Sequence, residues 1–309
     1  MTTTIHHGID RFLEIKRSLG YRFEDKEQRL RSFARFAEAR NERYVRSETA
    51  LKWSSASRAS STVQVSKLRA VHDLAVWLHA EDDRHEVPPR DALGPLNRRR
   101  PQPHLLSVAD IQKLLTAALS MPPTATIAPL TWHYMFGLIA TTGLRIGEAL
   151  ALTLDDITPD GLVIRNAKFG KTRLVTLHPT TWDALNIYVE ARLKETTRDR
   201  HLFVIATGRK PTPRWVRRVF LRLAEQVGLR VPGTVRGPTV HSLRHSFAVR
   251  SLEQLPPGAK TDRHMLALAT YLGHVDVTSS YWYLESTPVL LRGIAEAAEQ
   301  AHATGGSHD

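Results

Sequence analysis

Between Val87 and His104 the chain carries Pro88, Pro89, Pro95, Pro101 and Pro103. Proline fixes φ and has no backbone donor, so neither a helix interior nor a central strand can run through such a stretch. The sequence is therefore expected to fold as two bodies joined by a linker. The expected division is a first domain over residues 1–96, a linker over 97–104, a second domain over 105–301 and a flexible tail over 302–309. Within the linker, Arg98, Arg99 and Arg100 are three consecutive cations suited to crossing the backbone of a polyanion.

With 309 residues and 42% hydrophobic content, there is enough apolar material for two cores. Lys and Arg total 43 against 31 acidic residues, and the resulting +12 points to a polyanionic partner: DNA, RNA or an anionic membrane. Residues 1–96 hold 17 basic and 14 acidic residues, so most of the surplus lies in the second part. The absence of cysteine rules out disulfides and thiolate metal sites and fits a reducing interior. Met1 to His7 lacks the basic-then-apolar pattern of a leader, and the apolar stretch Pro129 to Leu144 is too short for a bilayer and contains His133. These features lead us to expect a cytoplasmic protein with no membrane partner.

Periodicity predicts a mainly α protein with a small antiparallel sheet (α+β). In the first domain, Ile9, Phe12 and Leu13 open an amphipathic helix ending near Gly20, and Leu30, Phe33, Ala34 and Ala37 mark a second helix that carries Arg29, Arg31, Arg35 and Arg40. The serine-rich Ser54 to Thr62 reads as a loop or capped turn, and Leu68, Val71, Ala75 and Leu78 give a long helix. The second domain opens with Ser107 as N-cap of a helix reaching Leu119. Leu162 to Arg165 and Thr172 to Leu177 read as two strands around a turn. Helices are predicted over 179–196, 213–227, 241–255, 262–272 and 288–301.

The chemistry centres on Thr141 to Leu152, which contains Gly143, Arg145 and Glu148. A helix, a glycine break and a second helix would put Arg145 in a first turn, where its guanidinium and free N–H groups suit a phosphate oxygen and Glu148 can hold the guanidinium. Downstream come His241-Ser242-Leu243-Arg244-His245, then Leu272-Gly273-His274, then Tyr281-Trp282-Tyr283. On the 213–227 helix, Arg214, Arg217, Arg218 and Arg222 lie opposite Val216, Val219, Phe220 and Leu223; that basic side is a candidate phosphate-backbone surface.

The order Arg145, Lys168, His241-x-x-Arg244, Gly273-His274, Tyr283 resembles the catalytic signature of the tyrosine recombinases, the phage-integrase family that includes the Xer resolvases. The resemblance covers roughly residues 105–300; residues 1–95 match only in general character, as the helical core-binding (SAM-like) domain that clamps DNA. It implies a site-specific recombinase or integrase that cleaves and rejoins double-stranded DNA through a 3′-phosphotyrosyl ester with no metal, cofactor or ATP. It also implies a homotetramer on DNA, in which the helix over 288–301 packs either into a neighbouring protomer or on its own domain. A second recombinase or a DNA-bending protein is a further potential partner.

Under this resemblance Tyr283 is the nucleophile, with Tyr281 the alternative two residues away. Arg145 and Arg244 clamp the non-bridging oxygens. His241 takes the tyrosine proton or holds the phosphate, and His274 donates to a phosphate oxygen. Lys168 on the hairpin turn is the general acid, with Lys171 the runner-up; Lys171 and Arg173 are also expected to touch DNA.

His241 and His245 stand four residues apart as zinc ligands do, but Ser242 occupies the position where a metalloprotease needs Glu, so His245 is read as structural. Asp155-Asp156 reads as a cap and turn. The extra segment Leu255 to Arg263 departs from the simpler family pattern, so the biology of the Xer resolvases does not carry over. The competing functions are a type IB topoisomerase, which relaxes supercoils with similar chemistry, and a DNA-binding protein that has lost catalysis.

Overall fold

A computed structural model describes residues 4–21, 23–56, 60–95, 103–123, 126–165, 172–234, 236–255 and 261–273. The chain divides into two units, residues 1–101 and 102–309.

The first unit holds α1 (Thr4–Ser18), α2 (Glu24–Glu38), α3 (Ser47–Ser55) and α4 (Ser61–His79). Apolar side chains spaced three and four apart form the stripe that each helix buries. Ile5, Ile9, Phe12 and Leu13 come from α1, Leu30, Phe33, Ala34 and Ala37 from α2, and Leu68, Val71, Leu74, Ala75 and Leu78 from α4. Helix α3 corrects the expected loop at Ser54. Ser54 and Ser55 belong to a helix that buries Ala50 and Trp53, and the Ser55 hydroxyl donates to Leu51 O one turn back. A serine bonded back into its own helix no longer competes for a turn. After α4 the chain returns along that helix: His79 Nδ1 meets His85 O at 2.6 Å and His72 Nδ1 meets Pro88 O at 2.9 Å.

The second unit starts at α5 (Val108–Leu119), where Ser107 Oγ accepts from Asp110 N and the Asp110 carboxylate accepts from Ser107 N. That reciprocal cap is the expected start signal. Then come α6 (Ala128–Thr142) and the short α7 (Ile146–Ala151). Trp132, Met135, Phe136 and Ile139 of α6 are buried, and α5, α8 and α10 pack around it. Strands β1 (Ile157–Thr158), β2 (Gly161–Ile164) and β3 (Arg173–Val175) form one antiparallel sheet in that order, pairing Leu162 with Val175 and Ile164 with Arg173. The expected two-strand ladder is present, extended by β1. Asp156 caps the turn into β1 by accepting from Thr153 N and Oγ1, and it also pairs with Arg165. The remaining described helices are α8 (Pro179–Leu193), α9 (Pro213–Gln226), α10 (Val240–Glu253) and α11 (Thr261–Leu272). The fold is mainly helical with a small three-stranded antiparallel sheet, and no described helix is long and apolar enough to cross a membrane.

Candidate active site

Helix α6 ends at Gly143, in the left-handed region at φ 64°. A Cβ there would lie 2.6 Å from Phe247 Cδ1 and 2.7 Å from Leu272 Cδ2, so both the backbone angle and the space require glycine. The turn directs Arg145 toward the C-terminal end of α11. Arg145 is the N-cap of α7, one position before the expected first turn. Its own N–H donates to Glu148 Oε2 at 2.9 Å, so that amide is not offered to an anion.

Arg145 Nη1 donates to Glu148 Oε1 at 2.9 Å and to Leu272 O at 3.2 Å, while Nη2 donates to Gly273 O at 3.0 Å. Arg244, on α10, is fully buried. It donates from Nη2 to the same Leu272 O at 2.9 Å and from Nη1 to Gly143 O at 2.5 Å. Burial alone would raise the Glu148 pKa, but hydrogen bonds from Arg173 and from the Arg145 amide, with both positive charges, bring it down to about 2. Glu148 therefore stays ionised.

Arg173 was expected at the DNA surface, and the structure turns it inward. Its side chain is 13% exposed and bonded to both Glu148 oxygens. The reason is strand alternation: Val175, two residues on, is buried, whereas Leu174 between them is 45% exposed. Arg173 shares the inner face of β3 with Val175.

His241 lines a cavity of about 320 Å³ with Leu144, Ile146, Arg217, Leu221, Thr239 and Val240. Its pKa is pushed down to about 4 by desolvation and by the positive charges of Arg244, Arg145 and Arg217. Desolvation is the largest of these causes, although the side chain still reaches solvent. His245 sets its ring edge-on to His241, with centroids 4.3 Å apart. Among the described residues no group of three His, Cys, Asp or Glu side chains is arranged to hold a metal.

On α9, Arg214, Arg217, Arg218 and Arg222 are all exposed, and none forms an ion pair with a described carboxylate. Among them stands Trp215, 42% exposed, with the Arg218 guanidinium 5.3 Å from its ring centre. In the sequence, the signal for this tryptophan is its position on the polar side of the α9 wheel. Arg98, Arg99, Arg100, Lys168, Lys171, His274, Tyr281, Tyr283 and the segment 288–301 lie outside the described residues.

The phage integrase family model matches residues 105–288. The protein named "Putative integrase/recombinase y4rB" from Sinorhizobium fredii is 35% identical over 300 residues, which covers 94% of this chain and 95% of that one. Tyrosine recombinase XerC of Azotobacter vinelandii is 31% identical over 220 residues, covering 71% of this chain and 66% of its own. Among solved structures, the Tn1549 transposon integrase in complex with transposon right-end DNA has the same fold, with a TM-score of 0.65 at 17% identity, covering 94% of this chain and 98% of that one. The chain belongs to the phage integrase family, and it is a tyrosine-type site-specific recombinase.

Proposed function

We propose that this recombinase cleaves and rejoins duplex DNA through a 3′-phosphotyrosyl ester on Tyr283, without metal or ATP. The observation that carries the reading is the shared acceptor Leu272 O: Arg145 and Arg244, distant in sequence, both donate to that one oxygen. Two forked cations able to reach a common oxygen suit the charge that develops on the non-bridging oxygens as phosphorus is attacked. His241, neutral at pH 7, accepts the phenol proton while the Tyr283 oxygen bonds to phosphorus. The bond from phosphorus to the 5′ oxygen breaks, and Lys168, or Lys171 in its stead, protonates that oxygen; His274 donates to a non-bridging oxygen. The ester conserves the energy of the phosphodiester, so a 5′-hydroxyl rejoins the strand without ATP.

Residues 1–96 serve as the core-binding domain, and residues 105–301 as the catalytic domain. Arg98, Arg99 and Arg100 in the linker, with the exposed arginines of α9, contact phosphates, and four protomers assemble on DNA, with 288–301 packed either into a neighbouring protomer or on its own domain.

The test uses nicked suicide duplexes from the gene's flanking sequence, EDTA and a denaturing gel. Wild type and Tyr281→Phe should form a covalent adduct, and Tyr283→Phe should not. An adduct that survives in Tyr283→Phe, or vanishes with EDTA, would refute the reading. A joined recombinant product distinguishes it from a topoisomerase.

A further inference from the structure

The inward turn of Arg173 raises the question of what that side chain does. Its Nη1 and Nη2 donate to Glu148 Oε1 and Oε2 at 3.0 and 2.9 Å, and its Nε donates to Tyr271 O at 2.9 Å. The same carboxylate takes Arg145 Nη1 on Oε1 and the Arg145 amide on Oε2. Glu148 is thus held by two guanidiniums at once.

The carbonyls of Tyr271, Leu272 and Gly273 are the orphan acceptors at the C-terminal end of α11, where positive charge is favoured. Arg173 takes the first, Arg145 and Arg244 share the second, and Arg145 takes the third. A Cβ on Gly273 would lie 2.8 Å from Arg173 Nη1 and 3.0 Å from its Cζ, at a backbone φ of 65°. The glycine before His274 is therefore needed partly because Arg173 lies against it.

We propose that Arg173 is a positioning residue for strand cleavage: through Glu148 it fixes the Arg145 guanidinium and the Leu272–Gly273 turn as one rigid unit, and it does not touch DNA. The proposal rests on the reading of Arg145 as a phosphate clamp. Lysine cannot replace it, because an ammonium group cannot grip both carboxylate oxygens in a fork while also donating to Tyr271 O.

The test compares wild type, Arg173→Lys, Glu148→Gln and Arg145→Ala on suicide duplexes with either a normal scissile phosphate or a methylphosphonate, which lacks the negative charge that Arg145 offsets. On the normal duplex Arg173→Lys should slow cleavage at saturating DNA by on the order of 10²-fold, the scale of a misplaced catalytic group. DNA affinity and its salt dependence should stay at wild-type values. On the methylphosphonate the defect should shrink by about tenfold or more, in parallel with that of Arg145→Ala, because the charge to be stabilised is gone. Adding Arg173→Lys to Glu148→Gln should cost no further rate.

An equal defect on both duplexes, accompanied by a fall in melting temperature, would reduce Arg173 to a structural residue and overturn the proposal. Weaker binding with a full rate at saturation would make it a DNA contact, with the same consequence. Wild type and Arg145→Ala run in parallel, so failure of the underlying reading appears there, as no adduct from wild type or as an Arg145→Ala defect that is the same on both duplexes. Failure of the present proposal appears as one of the two patterns just described.

Discussion

Gly143 ties three distant parts of the second unit together through a single missing side chain. Its left-handed backbone ends α6, its carbonyl accepts from Arg244, and the space a Cβ would need belongs to Phe247 and Leu272. Gly143→Ala should cost about 1–2 kcal/mol for the left-handed conformation and about 1–3 kcal/mol for the overpacking. Chemical denaturation should therefore lose about 2–5 kcal/mol of unfolding free energy; a change under about 0.5 kcal/mol, the scale of an ordinary surface substitution, would mean the site relaxes freely. The sequence shows a helix break at this glycine. It cannot show that two side chains more than a hundred residues downstream fill the space, because that depends on how α6, α10 and α11 pack.

Strand β3 illustrates the same limit in an element. The run Thr172 to Leu177 was readable as a strand, but which face is buried was not: Arg173 and Leu174 are exchanged relative to simple hydrophobicity, with the charge inside and the leucine outside. Glu148 and the Tyr271 carbonyl, on other elements, make an inward arginine stable there. The paired motifs around Arg145 and Arg244 were legible because their order and spacing survive without any knowledge of contacts. Helix α3 was missed because serines favour turns unless packing or back-bonding occupies them, as it does at Ser55.

The strap after α4 gives a pH prediction. Val45 N donates to His85 Nδ1 at 3.1 Å, and His85 is buried. Its pKa is lowered by desolvation, with further contributions from Arg84 and Arg46. The unfolded chain then binds a proton more readily than the folded one, so stability should rise with pH through the range just below about 6.5 and fall on acidification. His85→Asn keeps an acceptor for Val45 N without a titrating group, and it should flatten melting temperature between about pH 7 and pH 5. An unchanged slope would assign the effect to other groups.

Charge is distributed unevenly over the molecule as a whole. Residues 1–96 have three more basic than acidic residues, which leaves nine of the twelve net positive charges on residues 97–309. Part of that basic content is already engaged internally: Arg173 and Arg145 share Glu148, and Arg244 is buried against carbonyls. Of these, Arg173 has Nε, Nη1 and Nη2 all bonded inside the protein and has little to offer the DNA backbone, whereas Arg145 and Arg244 serve the scissile phosphate in the proposed reaction. The arginines of α9 are exposed and have no described carboxylate partner, so they are free to pair with a polyanion. Each phosphate neutralised releases counterion and adds about 0.9 to the slope of log affinity against log salt. Replacing Arg217 and Arg218 together with alanine should therefore weaken DNA binding and reduce that slope by about 2, whereas Arg173→Lys should leave it unaltered. The measurement is a salt titration of binding to one duplex, with Tyr283→Phe as the common background so that no strand is cut. Equal slopes for all proteins would remove α9 from the DNA interface and shift the search for phosphate contacts to the linker arginines.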